Sequence, residues 1–333
     1  MNTRPFLILA LFFMLSCGKD GDRKQNTGPT QPAANIKVPP FNADSAYQFV
    51  AKQVAFGPRI PNTPAHRQAA NYFVETLKRY GAQITVQDFE ARNFSGQMLA
   101  LKNIVAAFNP QKSKRILIAA HWDTRPFSDK DPDKPEATFQ GANDGASGVG
   151  VLLEIARVLG SDPPASIGVD LILFDGEDWG EKNGEAGRHP LPDGLQEWWC
   201  LGSQHWAKNK HKSNYSAYYG IVLDMVGAKH AQFYREGYSM EFAPSIVEKV
   251  WDHAQRLGYS HAFIRKTESE ITDDHVFINT IAKIPTIDIV HFQPGIGYFG
   301  DFHHTQKDNQ DLISKETLGI VGTTVLNTIY YEQ

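Results

Sequence analysis

The sequence is poor in cysteine, in unbalanced charge and in long apolar runs, and each of these features excludes a class of protein. Only Cys17 and Cys200 occur among 333 residues, so a disulfide framework cannot stabilise the fold. The 33 Lys and Arg nearly balance the 37 Asp and Glu, which argues against a nucleic-acid partner and against electrostatic binding to a membrane. The apolar run at residues 6–15 is shorter than the roughly 20 residues that a permanent membrane-spanning helix needs.

The N-terminal segment over residues 1–16 predicts an export signal. Arg4 supplies the positive start, residues 6–15 form the apolar part, and Leu15-Ser16-Cys17 resembles the cleavage box of bacterial lipoproteins. This resemblance implies acylation of Cys17 and a lipid-anchored place in the bacterial cell envelope, facing the periplasm or the cell surface. The alternative is an ordinary cleaved signal peptide that happens to contain a cysteine.

The mature chain divides into a short polar segment and one large domain. Residues 17–40 carry Gly, Pro, Asn, Lys and Asp without apolar periodicity, so we expect a flexible tether there. Residues 41–333 form the expected catalytic domain. With 41% hydrophobic residues, the chain can build a sizeable core.

Alternating apolar patterns predict an α/β fold for that domain. Strands covered on both faces are indicated by short apolar runs at residues 115–120, 169–174, 218–223 and 286–290. Two more strands are expected at residues 83–89 and 99–108. Helical spacing of apolar residues is found at residues 63–80, 148–159, 243–257 and 314–331. Together these segments predict a three-layer sandwich in which helices flank a central mixed, mostly parallel sheet.

Acidic residues and a histidine follow the predicted buried strands. His121 follows the first of them, Glu177 and Asp178 follow the second, and Asp224 follows the third. Ligands bind outside the carboxyl ends of strands in open α/β sheets, so these side chains should lie together. Carboxylates that converge in a partly dry cleft repel one another unless a cation binds. Mixed histidine and carboxylate ligands favour zinc.

Two further groups of candidate residues lie in loops. Asp144 precedes a predicted helix, and His303 and His304 follow the last predicted strand. Taken alone, Asp144 could be a turn residue and His304 a surface or core histidine. Their position beside the strand-end residues favours a shared metal site.

Five motifs together resemble the family of zinc aminopeptidases and glutaminyl cyclases. They occur in the family's order, and the resemblance extends from about residue 44 to the C-terminus. The motifs are Ala120-His121-Trp122-Asp123-Thr124, Gly141-Ala142-Asn143-Asp144-Gly145-Ala146, Phe174-Asp175-Gly176-Glu177-Asp178, Leu223-Asp224-Met225-Val226-Gly227 and His304-Thr305. The resemblance implies a zinc exopeptidase-like fold and an enzyme that acts on the N-terminal residue of peptides.

The cyclase branch of this family implies one zinc ion. The ligands there would be Asp144, Asp178 and His304. Glu177 would shuttle a proton with the help of the carboxylates of Asp224 and Asp273. The substrates would be peptides or proteins with an N-terminal glutamine, which is converted to pyroglutamate with release of ammonia.

The aminopeptidase branch implies two zinc ions. The ligands of the first would be His121 and Asp224, those of the second Asp178 and His304, with Asp144 bridging. Glu177 would then be the general base that activates water. A third reading is a non-catalytic peptide-binding lipoprotein, which is disfavoured because all the ligands and Glu177 are present.

The segment Thr272-Asp273-Asp274-His275 resembles the cyclases, so we expect the cyclase activity. Two positions depart from that pattern. Asp178 is one methylene shorter than the usual glutamate, and His303 stands where animal cyclases often have tryptophan. Either neighbouring histidine could reach the metal, and His304 is preferred because it precedes Thr305. His303 and Trp179 are candidate substrate-binding residues. The sequence gives no indication of the oligomeric state.

Overall fold

A six-stranded mixed sheet forms the centre of the protein. The computed structural model describes residues 36–182, 184–185 and 187–332. The strands are β1 (Gln83–Arg92), β2 (Met98–Phe108), β3 (Arg115–His121), β4 (Gly168–Phe174), β5 (Gly220–Asp224), β6 (Phe233–Arg235), β7 (Phe263–Thr267), β8 (Thr286–Val290), β9 (Phe292–Gln293) and β10 (Gly297–Tyr298). The central sheet has the order β1-β2-β4-β3-β5-β8, and β6 with β7 and β9 with β10 form two small sheets.

The four strands that carry the site run parallel to one another. β4, β3, β5 and β8 are neighbours in parallel register, whereas β2 pairs antiparallel with both β1 and β4. Every residue of these four parallel strands is buried. Such strands are covered by other elements on both faces. The predicted mixed, mostly parallel sheet is therefore confirmed.

Helices cover both faces of the sheet. They are α1 (Ala43–Val54), α2 (Pro64–Arg79), α3 (Ala146–Ser161), α4 (Leu201–Lys208), α5 (Gly237–Phe242), α6 (Pro244–Arg256), α7 (Asp274–Phe277) and α8 (Lys315–Tyr330). A π-helical turn at Ile278–Ala282 and a 3-10 turn at Gln310–Leu312 complete them. Leu117 and Ala119 of β3 pack in one cluster with Trp206 of α4, whereas Ala120 faces Gly148 of α3. Because successive strand residues point to opposite faces, α3 and α4 lie on opposite sides, and the three-layer prediction is confirmed.

The sequence predicted six of the ten strands and four of the eight α-helices that the structure describes. All six predicted strands are present, although β5 begins at Gly220, two residues later than expected. The four predicted helices are present within about two residues at each end. The missed helices are α1, α4, α5 and α7; α1 is the longest of them, and only its residues Ala46, Val50 and Gln53 are buried. Its start is marked by Asn42, whose side chain accepts the backbone N–H of Ser45.

The predictions for the N-terminus lie largely outside the described residues. The export signal (residues 1–16), Cys17 and residues 18–35 of the tether are among the residues that the structure does not describe. Residues Lys37–Gln333 form one compact unit. Within the described part of the chain, no helix is both long enough and apolar enough to cross a membrane.

A glycine in α3 brings that helix very close to β5. A Cβ atom on Gly148 would lie 2.3 Å from the carbonyl oxygen of Leu223 and 2.9 Å from the Cβ of Ala120. Asp224 follows Leu223 directly, and Asp144 lies just before α3. The absent side chain at Gly148 thus sets the separation between two acidic residues of the site.

Replacing Gly148 with alanine should destabilise the fold, although alanine is the better helix former by about 1 kcal/mol. The added methyl group would push α3 away from β5, and overpacking of this kind typically costs about 1–3 kcal/mol. The free energy of unfolding is measured by urea denaturation. Gly319→Ala in α8 is the control, since a Cβ there meets only the Cβ of Ala43, at 3.3 Å. Equal stability of both variants would show that the contact at Gly148 does not set the helix position.

Candidate metal centre

The carboxyl ends of the parallel strands deliver the predicted site residues to one cleft. His121 is the last residue of β3 and Asp224 the last of β5, while Glu177 and Asp178 follow β4. A cleft of about 380 Å³ at this edge is lined by Asp144, Glu177, Asp178, Asp224, Asp273, His303 and His304, among others. The structure therefore brings together the acidic residues and histidines that the sequence singled out, with His121 directly beneath them.

Three side chains form an open group of ligand atoms. His304 Nε2 lies 3.0 Å from Asp178 Oδ1 and 3.6 Å from Asp144 Oδ2. Neither of these buried oxygens has a hydrogen bond of good geometry from the described residues. Donor atoms around a tetrahedral zinc with bonds of about 2.0–2.1 Å lie roughly 3.3 Å apart. The spacing, burial and chemistry of this group fit a zinc ion.

His304 is oriented for ligation by its surroundings. Its Nδ1 lies 3.4 Å from Asp129 Oδ1, and a carboxylate in this position usually fixes a ligand histidine with its other nitrogen free for the metal. The backbone of His304 has φ of 55°, in the left-handed region that non-glycine residues rarely adopt. Strain of this kind concentrates at functional sites.

His303 lies beside the same group but is engaged differently. Lys130 Nζ donates to His303 Nδ1 at 2.6 Å, so the ring proton of a neutral His303 is on Nε2. Nε2 lies 3.9 Å from Asp144 Oδ2 and is a hydrogen-bond donor in that tautomer. Of the two histidines, His304 has the better geometry for a ligand, whereas His303 forms part of the cleft wall.

A second group of possible ligands lies deeper. His121 Nε2 is 3.1 Å from Asp144 Oδ1 and 3.1 Å from Asp224 Oδ1. Burial alone would lower the pKa of His121, but its contacts with Asp123, Asp144 and Asp224 outweigh burial and raise the pKa well above its usual value. A protonated His121 would therefore neutralise part of the charge of this group.

Glu177 is held at the cleft wall by the carboxylate of Asp123. The backbone N–H of Glu177 donates to Asp123 Oδ1 at 3.1 Å, and that of Asp178 donates to Asp123 Oδ2 at 3.2 Å. Burial raises the pKa of Glu177 well above its usual value; His121 opposes this effect and Asp273 adds to it. A carboxyl group with a raised pKa is suited to accept and return a proton near neutral pH.

Asp144 and Asp178 also depend on side chains behind them. Asp308 accepts the backbone N–H groups of Asn143 at 2.6 Å and Asp144 at 3.0 Å. The backbone N–H of Arg125 donates to Asp178 Oδ2 at 3.2 Å, which leaves Asp178 Oδ1 facing His304. The sequence prediction assigned no role to Arg125 or Asp308.

An acidic network continues from Glu177 into the protein. One carboxylate oxygen of Asp273 lies within 4.8 Å of ligand atoms of Glu177 and Cys200, and Asp273 also groups with His275 and Asp288. Burial, with the negative charge of Asp273, raises the pKa of Asp288 well above its usual value. Burial raises the pKa of Asp224 to about 7. Burial thus makes the carboxyl groups of Asp224 and Asp288 hold their protons more strongly than exposed ones do.

The tryptophan that lines the cleft is Trp199, whereas the sequence analysis named Trp179 as a candidate. Trp179 packs with Leu99, Leu101 and Leu201 in a hydrophobic cluster and does not line the cleft. Trp199 lines it instead, with its ring parallel to that of His304 at a centroid distance of 6.0 Å. The indole lies against Gly180, where a Cβ atom would be 1.8 Å from the ring. The available sequence signal was the pair Trp198-Trp199 at the end of the long loop between β4 and α4.

Comparison with known proteins gives a consistent result. The model of peptidase family M28 matches residues 103–329, more than half of the chain. The solved glutaminyl cyclase of Bacteroides thetaiotaomicron, bound to N-acetylhistamine, is 47% identical, covers 89% of this chain and 100% of its own, and has a TM-score of 0.85. A Zn-dependent exopeptidase from Parabacteroides distasonis is 48% identical over 88% of this chain and 99% of its own, with a TM-score of 0.83.

The matches to more distant relatives span different shares of those proteins. The glutaminyl-peptide cyclotransferase of Drosophila melanogaster is 25% identical over 287 residues, 78% of this chain and 73% of that protein. The alkaline phosphatase isozyme conversion protein of Escherichia coli is 30% identical over 141 residues, and the match spans 41% of that protein. The Parabacteroides distasonis protein is described as Zn-dependent, and the carboxylate and imidazole groups of the cleft in this chain are of the types that bind zinc.

Loss of His304 should abolish zinc binding, whereas loss of His303 should not. His304→Ala leaves only the carboxylates of Asp144 and Asp178 as ligands. Zinc affinity should therefore fall by more than roughly 10–100-fold, the loss that is typical when a residue that hydrogen-bonds to a metal ligand is removed. His303→Ala is the matched control, because it removes the adjacent imidazole but leaves the open group intact. The zinc that remains bound to each variant after dialysis is measured by inductively coupled plasma mass spectrometry. Retention of zinc by His304→Ala with loss in His303→Ala would reverse the assignment.

Proposed function

The chain belongs to peptidase family M28, and from that premise we propose that it is a glutaminyl-peptide cyclotransferase. It would convert the N-terminal glutamine of a peptide or protein to pyroglutamate and release ammonia. The observation that carries the proposal is the position of Asp273, one of whose carboxylate oxygens lies within 4.8 Å of Glu177 beside the open ligand group. Similarity to a solved glutaminyl cyclase over the whole of that protein's chain supports it.

The chemistry follows from the positions of these side chains. When held by Asp144, Asp178 and His304, zinc would supply a Lewis acid for the side-chain carbonyl of the glutamine. Glu177 takes a proton from the α-amine, the amine nitrogen bonds to the side-chain carbonyl carbon, and the carbon–nitrogen bond of the amide breaks. Glu177 returns its proton to the departing ammonia. The attack is intramolecular, so the cleft mainly has to hold the chain in the reactive geometry.

We further propose that one zinc ion is sufficient. His121 Nε2 lies 3.1 Å from both Asp144 Oδ1 and Asp224 Oδ1, so the imidazole itself bridges the two carboxylates that a second metal would otherwise have to join. Asp224 then acts with Asp273 in the proton network around Glu177. In this arrangement His303 and Trp199 form the walls that contact the glutamine side chain.

The alternative function is a two-zinc aminopeptidase. The relative described as a Zn-dependent exopeptidase supports it, since its identity to this chain equals that of the cyclase within one percentage point. His121, Asp144 and Asp224 would then hold the second ion, and Glu177 would take a proton from water. The two functions differ in product: cyclisation keeps the peptide's length, and hydrolysis shortens it.

Export and lipid anchoring also belong to this proposal. The support is the sequence alone: Arg4, the apolar run at residues 6–15 and the box Leu15-Ser16-Cys17. Diacylation or triacylation at Cys17 would place the enzyme at the cell envelope, where newly exported proteins present their N-termini. Radiolabelled palmitate should label the wild-type protein in cells and leave Cys17→Ala unlabelled. Equal labelling of both proteins would contradict the anchor.

A Gln-initiated peptide should lose ammonia in the presence of this enzyme, while a Leu-initiated peptide should remain intact. The products are followed by mass spectrometry with the soluble form from Ile36 onward and added zinc. Glu177→Gln keeps a side chain of the same size but cannot carry the proton, so turnover should fall by about 10²–10⁴-fold with zinc still bound. Shortening of the Leu peptide by one residue would assign the aminopeptidase activity instead.

A further inference from the structure

The buried thiol of Cys200 contacts the proposed proton carrier. Cys200 Sγ lies 3.2 Å from Glu177 Oε1, within hydrogen-bonding distance for a thiol donor. The backbone N–H of the same cysteine donates to the carbonyl oxygen of Glu177 at 2.9 Å. One residue thus holds Glu177 at both its main chain and its carboxyl group. We infer that Cys200 is a positioning residue whose S–H fixes Oε1 of Glu177 and leaves Oε2 to exchange protons with the substrate.

The two oxygens of Glu177 are in different surroundings. Oε1 faces the thiol, and Oε2 lies 3.9 Å from His121 Nδ1. Burial raises the pKa of the Cys200 thiol well above its usual value, so sulfur keeps its proton and acts as the donor. A hydrogen bond to Oε1 restricts the Glu177 side chain to one rotamer. That restriction favours the reaction through orientation rather than through binding.

The backbone at Cys200 adopts a conformation that favours glycine, although the residue carries a side chain. Its φ is 58°, in the left-handed region where a residue with a Cβ costs roughly 1–2 kcal/mol relative to glycine. Cys200 is fully buried at the start of α4, and Leu201 N–H donates to Gly176 O at 3.0 Å. These main-chain bonds would survive replacement by glycine. A conformation that favours glycine, occupied by a residue that contacts the proton carrier, points to a role for the thiol.

The adjoining residue links this contact to the cleft. Trp199 lines the cleft, and Cys200 follows it directly, so the same turn presents the indole to the substrate and the thiol to Glu177. The inference rests on the proposed function only in that Glu177 moves a proton. It holds equally for cyclisation and for peptide hydrolysis.

Three variants of Cys200 separate the thiol's role from a structural one. Cys200→Ser keeps a donor, Cys200→Ala removes the donor but keeps the Cβ, and Cys200→Gly removes the donor and relieves the strained backbone. We expect kcat of the serine variant within about threefold of wild type. The alanine and glycine variants should lose about tenfold in kcat, the effect of one hydrogen bond to a charged group, with KM and zinc content unchanged. Thermal unfolding should show the glycine variant at least as stable as the alanine variant.

Several outcomes would overturn the inference. Wild-type kcat in the glycine or alanine variant would show that the thiol is not needed, and equal losses in all three would show that the donor is not what matters. A rise in KM or a loss of zinc in place of the fall in kcat would indicate a structural role. The assay uses whichever of the Gln- and Leu-initiated peptides the wild type processes. If the wild-type enzyme acts on the Leu peptide alone, the proposed function is refuted, but the variants still test the role of Cys200. If it acts on neither peptide, the proposed function and the inference about Cys200 are both refuted.

Discussion

The mutual repulsion of buried carboxylates at one edge of the sheet is the constraint on which the rest of this structure depends. Asp144, Glu177, Asp178, Asp224 and Asp273 line one cleft. Carboxylates so placed cannot all be ionised in a partly dry site without compensating positive charge. The protein meets this condition in three ways: an open ligand group that fits zinc, an imidazole set between two carboxylates, and carboxyl groups that retain protons. The proposed chemistry uses all three.

The fold makes this arrangement possible through contacts that lie behind the cleft. Gly148 lets α3 approach β5, so that Asp144 and Asp224 reach the same imidazole. Asp123 ties the backbone of Glu177 and Asp178 together by two hydrogen bonds. A site of this precision depends on its supporting side chains as much as on its ligands.

Much of this organisation was predictable from the sequence because it follows from local patterns. Fully apolar runs indicate buried parallel strands, and the polar residues that follow them converge at one edge of the sheet, as His121 and Asp224 do. Contacts between distant segments were not predictable in this way. Trp179 follows a site residue in sequence but packs into a hydrophobic cluster, while Trp199 reaches the cleft from the far end of a long loop. The role of Cys200 could not be predicted either, because its contact with Glu177 joins residues 23 positions apart.

The most direct test of the account is a zinc titration of the metal-free enzyme, followed by turnover of a Gln-initiated peptide. Because His121 already contacts both Asp144 and Asp224, the account predicts that activity rises linearly and reaches its maximum at one zinc ion per chain. A maximum reached only at two ions per chain would show that His121, Asp144 and Asp224 hold a metal. Full activity without zinc would contradict the account as a whole.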